Sequence, residues 1–142
     1  MAIGESVPML DSVARVTGAV EYMVNLRLPG MLVGKIIRSS VPHARLIKVD
    51  ASKAAKAPGV VAVLTGADMT PQMKYGVAIR DQYPVAVDRV RFVGEPVAAV
   101  AAESAEAAEE AAALIEIEYE ELPAVFDALE AIRSGAPVLH DQ

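Results

Sequence analysis

The chain has 142 residues, enough for one domain to bury most of its apolar surface on folding. Its 19 acids and 13 bases give a net charge of −6 with no basic cluster, which argues against a nucleic-acid footprint and against attachment to an anionic membrane surface. Cysteine is absent, so disulfides, iron–sulfur ligation and thiolate catalysis are excluded together.

Hydrophobic residues make up 54% of the chain, but aromatics only 4%, and there is no Trp. The core must therefore be built from small and branched aliphatic side chains, which suits close packing of helices on a sheet. No apolar run reaches the roughly 20 residues of a membrane helix. The opening Met1-Ala2-Ile3-Gly4-Glu5-Ser6 lacks the basic and apolar regions of a secretory signal. A soluble, cytoplasmic protein with no membrane insertion and no nucleic-acid partner is expected.

Residues 1–18 show no sustained period and predict an extended N-terminal arm, with one domain over 19–142. Ala19 to Leu28 suggests a short strand closed by Pro29-Gly30. Met31 to Arg38 reads as a strand with a bulge at Gly34, and Ala44 to Val49 as another that could pair with it across the loop. Asp50 is placed to cap a short helix over Ala51 to Ala57. Val60 to Leu64 is a continuous apolar run, as expected of a strand buried on both faces. Thr65 to Pro84 reads as loop.

Beyond it the pattern sharpens. Val90 to Val93 is a short strand, Gly94-Glu95-Pro96 a turn, and Val97 to Ala102 a buried strand of very small side chains. Ser104 caps a helix from Ala105 to Leu114, with Glu106 near its positive end. Leu114 to Glu120 alternates apolar and acidic residues, the signature of a strand with one buried and one wet face. Leu122-Pro123 stops it, and Asp127 to Ser134 forms a last short helix. Strands and helices do not alternate regularly, so a mixed α+β domain is expected rather than a doubly wound parallel sheet.

No catalytic set emerges. None of the serines lies in a G-x-S-x-G elbow, and the glycines form neither G-x-G-x-x-G nor a phosphate loop. The two histidines, His43 and His140, supply no metal-ligand spacing. The acids Glu116, Glu118 and Glu120 share one face of their strand and read as a solvated surface. One polar cluster could bind something: Arg38, Ser39, His43 and Arg45 could receive an anion or a partner's carboxylate.

Several blocks carry a family resemblance. They are Asp11-Ser12-Val13-Ala14-Arg15-Val16-Thr17-Gly18, Leu26-Arg27-Leu28-Pro29-Gly30-Met31-Leu32, Arg38-Ser39 through Pro42-His43-Ala44-Arg45, Pro58-Gly59-Val60-Val61-Ala62-Val63-Leu64-Thr65, Val90-Arg91-Phe92-Val93-Gly94-Glu95-Pro96-Val97-Ala98 and Ile117-Glu118-Tyr119-Glu120-Glu121-Leu122-Pro123. In this order they resemble the a/b hammerhead domain that opens the molybdenum-binding large subunit in the xanthine dehydrogenase and aldehyde oxidase family. The resemblance implies a mixed α/β hammerhead fold, a β-rich core with packed helices.

It further implies a structural or interaction domain of a molybdopterin-dependent hydroxylase or dehydrogenase, with no catalytic, cofactor or metal residue of its own. Molybdopterin, and the iron–sulfur and flavin groups of partner domains or subunits, would be held elsewhere. The partners implied are the rest of the large subunit and those electron-transfer subunits. Glu21-Tyr22-Met23-Val24-Asn25 departs from the family, which more often has an acidic pair there. Members also continue far beyond the point matching Pro137-Val138-Leu139-His140. The alternatives are a stand-alone small-ligand module of the same fold and, disfavoured by the missing nucleophile and base, a hydrolase. As a domain made to pack against others, the chain is expected to expose apolar surface and to self-associate when isolated, with the arm and the 65–84 loop as candidate contacts.

Overall fold

A computed structural model describes residues 3, 4 and 6–140. The chain divides into two compact units, Met1–Met31 and Leu32–Gln142. The first holds one short helix, α1 (Ser12–Val16), and a 3-10 turn at Met23–Asn25. This differs from the expected extended arm and from the strand expected over 19–28. Local polar bonds favour the helix: Arg15 Nε donates to Asp11 Oδ2 at 2.6 Å and Thr17 Oγ1 to the Val13 carbonyl at 2.7 Å. Most of the large apolar residues of this unit, among them Leu10, Val16 and Met23, stand exposed, while Val20 is half-buried.

The second unit contains two three-stranded antiparallel sheets. One is built from β1 (Val33–Arg38), β3 (Val60–Thr65) and β5 (Pro96–Ala102), with β5 in the middle. The other has β2 (Ala44–Asp50) between the two-residue β4 (Arg89–Val90) and β6 (Glu116–Glu121). The consecutive strands β1 and β2 therefore do not pair with each other, contrary to the hairpin their spacing suggests. β1 takes β5 and β2 takes β6, and the residues between them, Ser39 to His43, pass from one sheet to the other. The irregularity in β1 falls at Ile37/Arg38 and not at Gly34.

The period-2 geometry of β5 explains how so few large residues make a core. Val100 and Ala102 point under α2 (Ala105–Ala113), where Ala108 and Ala111 are fully buried. Val97, one step out of phase, packs with Ala44, Ala86 and Val90 in a second cluster rimmed by Leu46, Ile117 and Tyr119. Alanine on both surfaces lets helix and sheet approach closely. Ser104 starts the helix by accepting from the Ala107 amide at 3.1 Å, and Glu106 sits in its first turn. Gly59, at φ +74°, lies where an added Cβ would meet Ala107 Cβ at 3.2 Å, so the turn before β3 also needs a residue without a side chain.

β3 lies at a sheet edge, and Val61 is exposed; the expectation of burial on both faces fails for that reason. The helix expected after Asp50 is only a 3-10 turn at Ala54–Lys56. Within 65–84 there are two further 3-10 turns and a bridge between Tyr75 and Gln82. Here Gly66 is obligatory, because a Cβ would come within 2.4 Å of the Ala86 carbonyl oxygen. α3 (Ala128–Ala131) closes the chain, with Asp127 Oδ1 accepting from the Leu129 and Glu130 amides. Among the described residues no helix is long and apolar enough to cross a membrane.

Candidate functional site

The four polar residues singled out by sequence have separate fates. Arg38 Nη1 donates to the Gly94 carbonyl at 2.8 Å. Ser39 is buried, and its hydroxyl spans the turn, donating to the Val41 carbonyl at 2.8 Å and accepting from the Val41 amide at 3.1 Å. Arg45 faces Glu120 across the β2–β6 pair at 3.5 Å on an exposed face, where such a pair contributes little. These three side chains are satisfied within the chain.

His43 is different. It continues the β2–β6 pairing by one residue, its carbonyl accepting from the Leu122 amide at 2.9 Å. The residue is 5% exposed, and Nδ1 of its ring lies 2.7 Å from the Pro123 carbonyl oxygen. A carbonyl can only accept, so Nδ1 carries a proton, and in the tautomer with that single proton Nε2 is an acceptor. That Nε2 is buried and has no hydrogen-bond partner among the described residues. Pro123 creates this arrangement by stopping β6, so that its carbonyl turns from strand pairing to the ring.

His43 lines a groove of about 320 Å³ whose other walls include Pro42, Phe92, Val93, Val125, Phe126 and Leu139. Phe92, Val93 and Phe126 are exposed, the last by 81%. Arg91 is the groove's charged residue, and its guanidinium is engaged. Nε donates to the Leu139 carbonyl at 3.0 Å, Nη1 donates to the Arg89 carbonyl at 3.2 Å, and Glu95 and Asp88 stand at 3.6 and 3.7 Å. The Arg91 amide also donates to the Glu95 carboxylate. What the groove offers is thus apolar wall, a neutralised cation and one orphaned acceptor. Sequence reasoning placed His43 in a polar cluster and did not see the apolar wall, because Phe92, Phe126 and Leu139 lie far from it along the chain.

The charged surface lies elsewhere, around the start of β6. Asp50 is held below the ordinary carboxylate range by hydrogen bonds from Ser52 and from Lys48, and by the Lys48 charge. Glu116 is lowered by its hydrogen bond and ion pair with Lys53, which is raised in turn. These groups lie at the surface and form a strut between the turn after β2 and the start of β6.

A sequence model of the family described as "aldehyde oxidase and xanthine dehydrogenase, a/b hammerhead domain" matches residues 17–123. The chain belongs to this family. Similar proteins include a probable xanthine dehydrogenase subunit of Bacillus subtilis, 45% identical over 131 residues, covering 92% of this chain and 18% of that protein. The "nicotinate dehydrogenase large molybdopterin subunit" of Eubacterium barkeri is 35% identical over 138 residues, covering 97% of this chain and 32% of the relative. Among solved structures, the Cu,Mo-CO dehydrogenase in its carbon monoxide reduced state superposes with a TM-score of 0.86 at 36% identity, over 94% of this chain and 17% of that one. Quinoline 2-oxidoreductase from Pseudomonas putida 86 gives 0.84 at 38% identity, over 96% and 18%.

The fold is thus the mixed α/β hammerhead that the sequence blocks imply, and the chain spans less than a third of each of these relatives. Among the described residues no three His, Asp or Glu are grouped to hold a metal ion. Among the described residues lining the groove, the cation, Arg91, is already engaged by a carbonyl and by Glu95.

Proposed function

We propose that the chain is a structural and docking domain of a molybdopterin-dependent hydroxylase or dehydrogenase large subunit, and that it contributes no catalytic group. The observation that carries this reading is the hammerhead match together with a site that is apolar and closed to anions. Residues 19–142 act as the domain and residues 1–18 as an arm. Molybdopterin is held by the remainder of the subunit, iron–sulfur and flavin groups by partner domains or subunits, and the assembly is cytoplasmic. Arg38, Ser39, His43 and Arg45 belong to the interface side of the domain in this reading, with His43 the member that reaches a partner. Apolar residues left bare in the lone chain, such as Val77 and Ile79 of the 65–84 loop, drive self-association when no partner is present.

The test is replacement of the matching segment of the Bacillus subtilis subunit by this chain. A soluble chimeric subunit that retains molybdenum is expected. A chimera that is insoluble or free of molybdenum, while the unmodified subunit is neither, would overturn the reading. The groove itself favours a second reading, a stand-alone module for a small apolar ligand. A rise in the melting temperature of the isolated chain with such a ligand would speak for that one.

A further inference from the structure

The His43 groove has a definite complementarity, and from it we infer that it receives an uncharged polypeptide segment belonging to the rest of the large subunit. The segment inserts an apolar side chain between Phe92 and Phe126 and donates one N–H or O–H to His43 Nε2. This inference rests on the function proposed above and names the contact through which the domain would act.

Three observations select the occupant. First, Nε2 is a buried acceptor with no partner, and buried polar atoms in folded proteins nearly always have one. With a proton on Nδ1 directed at the Pro123 carbonyl, the uncharged form of the ring presents Nε2 as an acceptor whose mate is a donor. Second, among the described residues the cation on the groove, Arg91, is already matched by Glu95 and Asp88 and by two carbonyls, so a carboxylate or phosphate would find no free counter-charge there. Third, the exposed apolar surface continues along the chain from the groove wall at Val125 and Phe126 to Leu129 and Ile132, longer than a small molecule covers. The relatives supply the source, since more than four-fifths of the length of the Bacillus subtilis subunit lies outside the part this chain matches.

Nε2 is sealed from solvent in the free chain, so the donor reaches it only as a groove wall shifts. Phe126, 81% exposed, is the wall residue least held by its surroundings.

Two substitutions separate the parts of this inference. His43→Asn puts an amide donor near the place of Nδ1, keeping the bond to Pro123 while removing the Nε2 acceptor. Phe126→Asp places a charge on the groove wall without touching the buried core. In the isolated chain, both should leave the melting temperature within about 3 °C of the parent chain. In the chimera with the Bacillus subtilis subunit, the readout is hydrogen exchange of the segment Ala124–Leu129 together with limited proteolysis of the subunit. The unsubstituted chimera should protect that segment relative to the isolated chain. Phe126→Asp should abolish the protection and speed proteolysis at least about tenfold, and His43→Asn should do so by about threefold or more.

A segment equally open to exchange in chimera and isolated chain overturns the docking inference, even where the chimera keeps its molybdenum and the parent reading stands. Protection that survives Phe126→Asp overturns it as well. Loss with Phe126→Asp but none with His43→Asn overturns the donated hydrogen bond. A chimera that does not fold or hold molybdenum overturns the proposed function and this inference with it.

Discussion

The two sheets of the larger unit solve the problem of burial differently. In the β1–β5–β3 sheet α2 lies over the inward face, Val100, Ala102, Ala108 and Ala111 are sealed in an aliphatic cluster, and Lys35 at the margin of that face reaches out to Glu109 of α2 at 2.5 Å. In the β4–β2–β6 sheet the core is just as small, but its margin carries a buried imidazole nitrogen without a hydrogen-bond partner among the described residues and a groove walled by exposed Phe and Val. The first half of the domain devotes its residues to its own stability. The second sheet is where the docking inferred above would take place, at the margin of a fold that the first sheet and α2 help to hold together.

This contrast makes ordered predictions. The largest effect should come from the sealed half. Val100→Ala removes two buried methyl groups where neighbouring alanines cannot collapse inward, and should cost about 2–3 kcal/mol in denaturant unfolding of the isolated chain. A cost below about 1 kcal/mol would mean that this half is not the tighter one. Next, His43→Phe strips the Pro123 carbonyl of its donor and should cost about 1–2 kcal/mol in the same measurement, net of the relief of removing the orphaned Nε2. Ser104→Ala deletes the α2 cap and should cost about 1 kcal/mol, with faster amide exchange confined to the first turn.

The smallest effect is electrostatic. Asp50 and Glu116 are both lowered in the folded chain, Asp50 first by its bond from Ser52 and Glu116 first by its bond from Lys53. A lowered carboxyl contributes stability above its unfolded value and loses it as pH falls through its folded one. Stability should therefore hold steady through neutral pH and start to decline below the ordinary values of 4.5 and 3.8. Lys53 is raised, so its contribution is present below 10.5 and lost as pH climbs beyond it. Because these groups lie at the surface, 1 M salt should flatten the acid limb of a melting-temperature profile, and an unchanged limb would assign it to buried groups instead.

Legibility in the sequence followed the range of the interactions. β6 declared itself through the alternation Ile117, Tyr119 against Glu116, Glu118, Glu120, and α2 through Ser104 and the alanines behind it. Both depend on neighbours within a turn or a pleat. The family resemblance supplied what local patterns could not, the hammerhead arrangement as a whole. The β1–β2 hairpin failed because nothing local records that β1 is matched to β5 and β2 to β6. The helix at Ser12–Val16 was missed because its support is a salt bridge from Arg15 to Asp11 and a hydroxyl bond from Thr17, with no apolar period to announce it. As for the site, the segment around His43 was noticed for its charges, whereas the structure draws attention to its one uncharged ring, whose companions at 92, 126 and 139 come from other parts of the chain.

The partition of β1 and β2 between separate sheets bears on how the chain emerges from the ribosome. Val33 must wait for Ala102, and Ala44 for Glu121, before either strand has its full complement of neighbours. During that interval two aliphatic segments carry open edges in the nascent polypeptide, with the β3 segment Val60–Thr65 adding a third. Pairings this distant close slowly and leave edges available to wrong partners. Arrival of the small-residue strand Pro96–Ala102 is thus the decisive event of synthesis, since it gives both β1 and β3 their mates at once.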